Sequence, residues 1–216
     1  MNLLTTMTTA PRKVKTWRAT RDSLMAANLP HPLIVNDNES RGAYWNFQRA
    51  LRISSFGWRN GLITKGHILI VQDDCQFSAN LRSYLNINPP PENSIASLYT
   101  SAYNHKPDFF GWHHIHTAPD CGPIVTYGAL ALLIPLDIAE RFIADPPLPN
   151  KPHGTDHQIG LFCRREGIDF YTHSPSLVKH TGEVSSILNP GGMAEYRQCA
   201  EFCEDCYAKV SESATG

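Results

Sequence analysis

The sequence has few charged residues and no long apolar run, and each shortage excludes a class of protein. Charged side chains make up 18% of the 216 residues, which is too sparse for a solvated disordered chain. The 16 prolines and 14 glycines are spread without a period, which excludes a collagen-like chain. No window approaches the roughly 20 consecutive apolar residues that a membrane span needs. These absences leave a globular chain without a transmembrane helix.

The N-terminus also lacks the features of a secretory signal. Its first residues, MNLLTTMTTAPRK, contain two leucines and then threonines, whereas a signal needs a basic start and a longer apolar stretch. Six cysteines are present, but a chain long enough to bury a core does not need disulfides to fold. We therefore expect reduced thiols and a soluble, cytoplasmic protein.

Charge is distributed unevenly along the chain. Residues 1–66 contain 10 Lys and Arg against 3 Asp and Glu, whereas residues 67–216 contain 9 against 17. A basic first third can bind an anion and the acidic remainder a cation, although solvated helix faces would explain the same charges. The net charge of −1 predicts no general affinity for nucleic acid.

Short apolar runs alternate with helical patterns, which predicts one α/β domain. Strands are predicted at residues 3–9, 32–37, 67–72, 95–99, 127–135 and 168–171. Helices are predicted at residues 14–27, 43–57, 80–85, 138–144, 155–167 and 194–210.

Turn and cap signals refine this assignment. Asp137 with Glu140 predicts a capping box, and Thr155-Asp156 predicts an N-cap pair. Residues 109–116, which contain Trp112 and three histidines, are predicted to form a loop. That loop could be an acceptor wall, because aromatic faces pack on sugar rings, or it could simply be a packed loop.

Two carboxylates follow the most apolar predicted strand. Gln72-Asp73-Asp74 comes directly after residues 67–71, and ligands bind at the carboxyl ends of strands in open α/β sheets. Oxygen ligands suit Mg²⁺ or Mn²⁺, which use one or two carboxylates together with substrate phosphates. A turn with two solvated aspartates is the alternative.

Three cysteines near the C-terminus have a spacing that suggests two different roles. Cys199, Cys203 and Cys206 fall at i, i+4 and i+7, which on a helix is one face, as in a core stripe of small apolar side chains. A structural zinc site is the alternative and would need a fourth ligand.

Several segments follow a characteristic order along the chain. They are the opening TTAPR (8–12), HILIVQDDCQFSANLRSYL (67–85), the small-residue strand 128–135, the helix 156–167 with its Gly160, and SPSLVKHTGEVSSI (174–187). This order, over about residues 5–188, resembles small GT-A-type glycosyltransferases, including bacterial and phage members similar to the lipooligosaccharide galactosyltransferase group. The resemblance implies a GT-A-like, Rossmann-type central sheet flanked by helices. Residues 1–190 would form the nucleotide-sugar-binding catalytic domain and residues 191–216 a C-terminal helix and tail.

The resemblance also implies a metal site. Gln72-Asp73-Asp74 occupies the place of the family's DxD motif, in which the last carboxylate binds the metal and the earlier positions face the ribose or the metal. Gln72 departs from that pattern because it is neutral. Asp74 is therefore the expected metal ligand, and Gln72 and Asp73 are expected beside the nucleotide. His180 matches the histidine that such enzymes bring to the same Mn²⁺ or Mg²⁺ ion.

Nucleotide and acceptor positions follow in the same way. Thr9, Pro11 and Arg12 match the first strand and loop, where the nucleotide is held. Asp156 matches a carboxylate beside the acceptor pocket, where it would be the general base of an inverting transfer.

The implied activity is transfer of a sugar from a nucleotide sugar, expected to be a UDP-sugar, to an acceptor hydroxyl. A glycan, a protein or a hydroxymethylated base in phage DNA remain open as acceptors, and a phage enzyme would act in the host cytoplasm. Two other functions stay open. A nucleotidyltransferase of related fold would also use paired aspartates and a metal, and a zinc-binding interaction module would use the cysteines and histidines without catalysis.

Overall fold

The computed structural model describes residues 1–10, 16–60, 65–115, 128–146, 154–182 and 199–213. The described strands are β1 (Leu3–Thr9), β2 (Leu33–Asn36), β3 (His67–Gln72), β4 (Cys75–Phe77), β5 (Ile95–Ser97), β6 (Gly111–His114), β7 (Ala131–Pro135), β8 (Phe170–Ser174) and β9 (Val178–His180). The described helices are α1 (Trp17–Ala26), α2 (Ala43–Arg59), α3 (Leu81–Ile87), α4 (Leu136–Ala144), α5 (Thr155–Glu166) and α6 (Cys206–Ser213).

A mixed sheet of seven of these described strands forms the centre of the molecule and confirms the predicted α/β class. Its order is β2-β1-β3-β7-β5-β8-β6. The neighbours β2, β1 and β3 are parallel, whereas β3 and β5 both run antiparallel to β7. β1 and β3 have the bounds predicted from the sequence. Both are runs of strand length that contain apolar residues and end at turn-forming residues.

Helices cover both faces of the sheet, as the alternation of side chains along β3 requires. Leu69 and Val71 belong to one apolar cluster, together with residues of α1 and α3. Ile68 and Ile70 belong to the other, together with residues of α2, α4 and α5. Both faces of β3 are therefore buried. Among the helices described, none has the length and apolar character needed to cross a bilayer.

The loop predicted around Trp112 is instead partly a strand. Gly111–His114 forms β6, which pairs antiparallel with β8 at the edge of the sheet, with Trp112 opposite His173. The prediction was wrong because the ordering comes from backbone hydrogen bonds to a strand about sixty residues away in sequence, which no local pattern reports.

Two predicted helix caps were also wrong. α4 begins at Leu136 after Pro135 and has no side-chain cap, so Asp137 and Glu140 do not form a capping box. α5 begins at Thr155 with Gly154 as its N-cap, which moves Asp156 into the first turn. The predicted C-cap of α5 is confirmed, since Gly167 has a left-handed conformation with φ of 63°.

The helix predicted at residues 194–210 is helical only from Cys206, where α6 begins; residues 199–205 are not helical and residues 194–198 lie outside the described residues, so Cys199, Cys203 and Cys206 do not share a helix face. Cys203 donates its N–H to the Ser176 carbonyl, and Ser176 donates its own N–H to the Glu201 carbonyl. The stretch before α6 is therefore hydrogen-bonded to the segment between β8 and β9 and is not helical.

Cys203 and Cys206 are joined by a disulfide, which corrects the expectation of reduced thiols for this pair, whereas Cys75, Cys163 and Cys199 are free thiols as expected. Sulfurs joined in a disulfide cannot bind a metal as thiolates, so Cys203 and Cys206 are excluded as ligands of the alternative zinc site.

A histidine lies inside the core between the sheet and α3. His173 is fully buried, and the rings of Tyr84, Phe110 and Trp112 meet it edge-on at centroid distances of 5.1–5.4 Å. Its Nδ1 lies 2.7 Å from the carbonyl of Pro175, which can only accept, so Nδ1 carries the proton and Nε2 accepts from the Tyr84 hydroxyl. Burial lowers the pKa of His173 to about 4.

The His173 environment predicts a specific pH dependence of stability. Because the pKa falls from 6.5 in the unfolded chain to about 4 in the native state, the unfolded chain binds more protons between these values. Stability contributed by neutral His173 is full above pH 6.5 and is lost as pH falls towards 4, by about 1.4 kcal/mol per pH unit. Urea unfolding at several pH values in this window measures the slope.

His173→Gln should flatten this slope by about one proton, since glutamine does not titrate. His31→Gln, at an exposed position, is the matched control and should keep the wild-type slope. An unchanged slope in His173→Gln would show that the pH dependence arises elsewhere.

Candidate functional site

The strand order places a topological switch point at the carboxyl ends of β1 and β3. β1 lies between β2 and β3, so the chain passes to one side of β1 and then returns to the other. At such a switch point the connections diverge, and ligands bind in the opening that results. The residues at this edge are Thr9 at the end of β1, Asn36 at the end of β2, and Gln72 with the two aspartates at the end of β3.

Thr9 is held firmly at this edge. Its hydroxyl donates to Asn36 Oδ1 at 3.2 Å, and its carbonyl accepts the N–H of Asp37 at 2.9 Å and Nδ2 of Asn46 at 3.1 Å. The end of β1 is thus fastened to β2 and to the start of α2. Pro11 and Arg12 lie outside the described residues.

A two-stranded ribbon next to the sheet brings Asp74 and His180 together. β4 pairs antiparallel with β9, and Cys75 lies opposite His180. His180 Nε2 is consequently 3.2 Å from Asp74 Oδ2, although the two residues are 106 positions apart in sequence. Their side chains are 10% and 5% exposed, so the pair is nearly buried. The Thr181 N–H donates to the Asp74 carbonyl at 2.8 Å and closes this end of the ribbon.

Helix α1 holds the other side of β4. The Thr20 hydroxyl accepts the N–H of Cys75 at 2.9 Å, and the Ser23 hydroxyl accepts the N–H of Phe77 at 2.8 Å. These two helix hydroxyls satisfy the backbone donors that β9 does not reach. The position of Asp74 is therefore determined from both sides of its strand.

The electrostatics at the end of β3 are strongly negative. Asp73 and Asp74 are each only 3% exposed. Burial raises the pKa of the Cys75 thiol well above its usual value, and the charges of Asp74 and Asp73 raise it further. The Cys75 thiol contacts the carbonyl of Leu130 at 3.7 Å. Two buried carboxylates at one strand end favour a cation beside them.

A space next to the Asp74–His180 pair is kept open by a glycine. A Cβ at Gly182 would lie 2.7 Å from Asp74 Oδ2 and 3.1 Å from His180 Nε2. An oxygen and a nitrogen donor 3.2 Å apart match two adjacent ligands of an octahedral ion, which are about 3 Å apart at Mg²⁺ bond lengths. The residues present therefore fit a divalent cation.

No group of three or more His, Cys, Asp and Glu side chains within the described ranges could hold a metal ion. An ion at Asp74 and His180 would therefore have two protein ligands among the described residues. Mg²⁺-type ions retain waters and take further oxygen ligands from substrate phosphates.

The segment that leads into β7 connects Asp156 to the same end of β3. Gln72 donates its N–H to Leu130 at 2.8 Å and its side-chain Nε2 to the carbonyl of Ala129 at 3.1 Å. Two residues earlier, Gly128 donates its N–H to Asp156 Oδ2 at 3.2 Å. The structure thus links Gln72 and Asp156 through three consecutive residues, and it uses the Gln72 amide to fasten β3 to this segment.

The Asp156 carboxylate is oriented by backbone donors. Besides Gly128, the N–H of His157 donates to Asp156 Oδ1 at 3.0 Å. Asp156 lies in the first turn of α5, where the helix dipole favours a negative charge. A carboxylate fixed in this way keeps its direction, which a general base requires.

The histidines next to Trp112, which the sequence suggested as part of an acceptor wall, do not lie at the edge formed by the ends of β1 and β3. β6 lies at the opposite edge of the sheet from β2 and four strands from β3. His113 Nε2 is 2.8 Å from the Asn104 carbonyl, and His114 Nε2 is 3.0 Å from Asp169 Oδ1. His116 lies outside the described residues.

Sequence reasoning missed three residues that shape the site. Asn46 ties α2 to β1, Gly128 orients Asp156, and Gly182 leaves the space beside Asp74 and His180. Only the glycines have a signal in the sequence, since each lies next to or within a segment already singled out. Gly128 has φ of 105°, a conformation that favours glycine.

Comparisons with known proteins assign no family to this chain. No family model and no curated protein sequence matches it.

Solved structures with a partly similar shape do exist. A glycosyltransferase involved in glycosylation of the major capsid of PBCV-1 is 13% identical over 84% of this chain and 94% of its own, with a TM-score of 0.44. A Drosophila β-1,4-galactosyltransferase 7 variant with manganese, UDP-Gal and xylobiose is 11% identical over 97% and 79%, with a TM-score of 0.44. A nucleoside-diphosphate-sugar pyrophosphorylase from Vibrio cholerae is 14% identical over 83% and 76%, with a TM-score of 0.39. TM-scores and identities this low do not establish a function, which must be argued from the side chains of this chain.

Proposed function

We propose that the chain is a metal-dependent glycosyltransferase that moves a sugar from a nucleotide sugar to an acceptor hydroxyl with inversion. The observation that carries the proposal is the nearly buried Asp74–His180 pair at the carboxyl end of β3. It combines a strand-end carboxylate, an imidazole and a glycine, Gly182, at which a Cβ would crowd both donors. The strand switch point beside it is the place for a nucleotide.

The donor side of the proposed reaction lies between β1 and the ribbon. Asp74 and His180 would hold Mn²⁺ or Mg²⁺, because imidazole and carboxylate together suit these ions. When bound, the ion neutralises the negative charge on the departing nucleoside diphosphate. Thr9, Gln72 and Asp73 line the same edge and are proposed to contact the nucleotide. Pro11 and Arg12 remain predicted contacts, with Arg12 as a positive charge for the phosphates.

The acceptor side of the proposed reaction is served by Asp156. Its carboxylate takes the proton of the acceptor hydroxyl as the oxygen attacks the anomeric carbon of the donor. The bond from that carbon to the diphosphate oxygen breaks, and the electron pair leaves with the diphosphate. Attack from the face opposite the leaving group inverts the anomeric centre. A UDP-sugar is the proposed donor, and a glycan or a hydroxymethylated base in phage DNA is the proposed acceptor.

The products decide between this reaction and nucleotidyl transfer. Attack at the anomeric carbon of a UDP-sugar releases UDP, whereas a nucleotidyltransferase attacks the α-phosphate of a nucleoside triphosphate and releases pyrophosphate. A panel of UDP-sugars with acceptors, and in parallel UTP with sugar 1-phosphates, is incubated with Mn²⁺ and analysed for both products; it should yield UDP from the first and no pyrophosphate from the second. Pyrophosphate would instead assign the chain to the nucleotidyltransferases.

Asp74→Asn should weaken UDP binding in the presence of Mn²⁺ by at least about 100-fold, because metal affinity depends on the charge of the ligand. Isothermal titration calorimetry with and without a chelator measures the effect, and His180→Ala should give a smaller loss. The matched control is Asp22→Asn, since Asp22 is exposed on α1. Binding of UDP that is indifferent to both chelator and Asp74→Asn would contradict the metal site.

Two glycine variants test the same site without changing a charged group. Gly182→Ala places a methyl group against Asp74 Oδ2 and should lower Mn²⁺ affinity about tenfold or more. Gly154→Ala places one 2.5 Å from Asp156 Oδ1 instead, and should leave Mn²⁺ affinity unchanged. Mn²⁺ titration followed by electron paramagnetic resonance measures both affinities. Equal affinities in the two variants would remove Gly182 from the metal site.

Asp156→Asn should abolish most turnover and spare donor binding. A general base contributes about 10²–10⁴-fold to the rate, and asparagine keeps the shape of the side chain while losing its basicity. The measurement is kcat with a saturating UDP-sugar, alongside calorimetry of UDP binding. If kcat stays near the wild-type value, Asp156 only orders the start of α5.

A further inference from the structure

Helix α2 has a solvent face that is basic and apolar rather than mixed and polar. The helical positions on this face are Trp45, Arg49, Arg52, Ile53 and Phe56, which together with Arg41, two residues before the helix, we call the α2 stripe. At 100° per residue the five helical positions fall within an arc of about 100°. The sequence of α2 contains no aspartate or glutamate. A solvated helix face ordinarily mixes charged and polar residues of both signs.

Two apolar residues of the α2 stripe are exposed to solvent and do not pack against the core. Phe56 is 68% exposed and Ile53 is 41% exposed. The opposite side of the helix already has its partner, because Phe47, Ala50 and Leu51 are buried in the core. The neighbouring edge strand β2 exposes apolar side chains as well. The stripe is thus a second apolar face outside the core.

The charged members surround an aromatic ring. The guanidinium groups of Arg41 and Arg49 lie 4.7 Å and 5.5 Å from the centroid of the Trp45 ring. Arg41 is also paired with Glu39, so Arg49 and Arg52 supply the net positive charge of the stripe. Residues 1–66 carry an excess of seven positive charges, from 10 Lys and Arg against 3 Asp and Glu. Charge and exposure therefore both favour an anionic partner.

We propose that the α2 stripe binds the surface of an anionic lipid membrane. Trp45, Ile53 and Phe56 enter the boundary between headgroups and acyl chains, and Arg49 and Arg52 lie beside the lipid phosphates. This combination of basic and bulky apolar side chains is typical of helices that lie in the membrane interface. A nucleic-acid backbone would use the arginines but would leave the isoleucine and phenylalanine in water.

Membrane binding by this face stands apart from the proposed transferase activity. α2 begins beside β1, because Asn46 contacts the Thr9 carbonyl. A chain docked through the stripe would therefore hold the strand ends near the membrane surface. No residue of the stripe belongs to the proposed metal or base positions, so the two proposals can fail separately.

Cosedimentation of the whole chain with vesicles tests the proposal. We expect binding to vesicles of phosphatidylcholine with phosphatidylglycerol, little binding to phosphatidylcholine alone, and weaker binding as salt is raised. The double variant Arg49→Gln/Arg52→Gln should lose about 30-fold in affinity, from about fivefold for each charge. Phe56→Ser should lose about tenfold, because its ring no longer leaves water.

The controls are exposed residues of the same kinds on other helices. Arg164→Gln on α5 and Ile87→Ser on α3 should bind vesicles within about twofold of the wild type. Failure of the wild-type chain to bind anionic vesicles, or stripe variants that bind as it does, would overturn the proposal. Stripe variants that lose binding to duplex DNA, with no vesicle binding by the wild type, would identify a nucleic-acid surface instead. Mn²⁺-dependent UDP binding, measured in the same variants, should be unchanged.

Discussion

The antiparallel pairing of β4 with β9 is the constraint on which the candidate site depends. It places Cys75 opposite His180, and so brings an imidazole to the carboxylate of Asp74 from the far end of the chain. Without that pairing, β3 would end in two buried carboxylates and lack the nitrogen donor. The sheet thus supplies the strand end, the ribbon supplies the second donor, and Gly182 leaves the space that both donors face.

The ribbon is in turn held by α1 and by the segment that contains the disulfide. α1 supplies hydroxyl acceptors to β4, and Ser78 and Leu177 are hydrogen-bonded where the ribbon ends. The segment that contains the Cys203–Cys206 disulfide bonds to the backbone next to this end, at Ser176 and Ala79. The C-terminal residues therefore contribute to the support of the ribbon, although they lie far from Asp74 in sequence. A site with two protein ligands depends on such support, because each ligand must be held before the ion arrives.

The sequence predicts those parts of the fold and site that local patterns encode. The buried run that forms β3 and the carboxylates after it are visible as a strand followed by Asp73-Asp74, and the structure places them as expected. No local pattern predicts that His180 lies beside Asp74, because only the β4–β9 pairing brings the two together. The family resemblance alone suggested it. β6 and the stretch before α6 were assigned wrongly for the same reason: hydrogen bonds to distant residues, and a disulfide in the second case, determine their conformation.

The central claim is that one imidazole and one carboxylate of this chain bind the same divalent cation. Pulsed electron paramagnetic resonance on the chain loaded with one equivalent of Mn²⁺ tests it most directly, since a nitrogen bound to the ion gives a resolved hyperfine coupling. The account predicts a single histidine nitrogen coupling in the wild-type chain, and its disappearance in His180→Gln. A spectrum without nitrogen coupling, or a coupling that persists in His180→Gln, would contradict it.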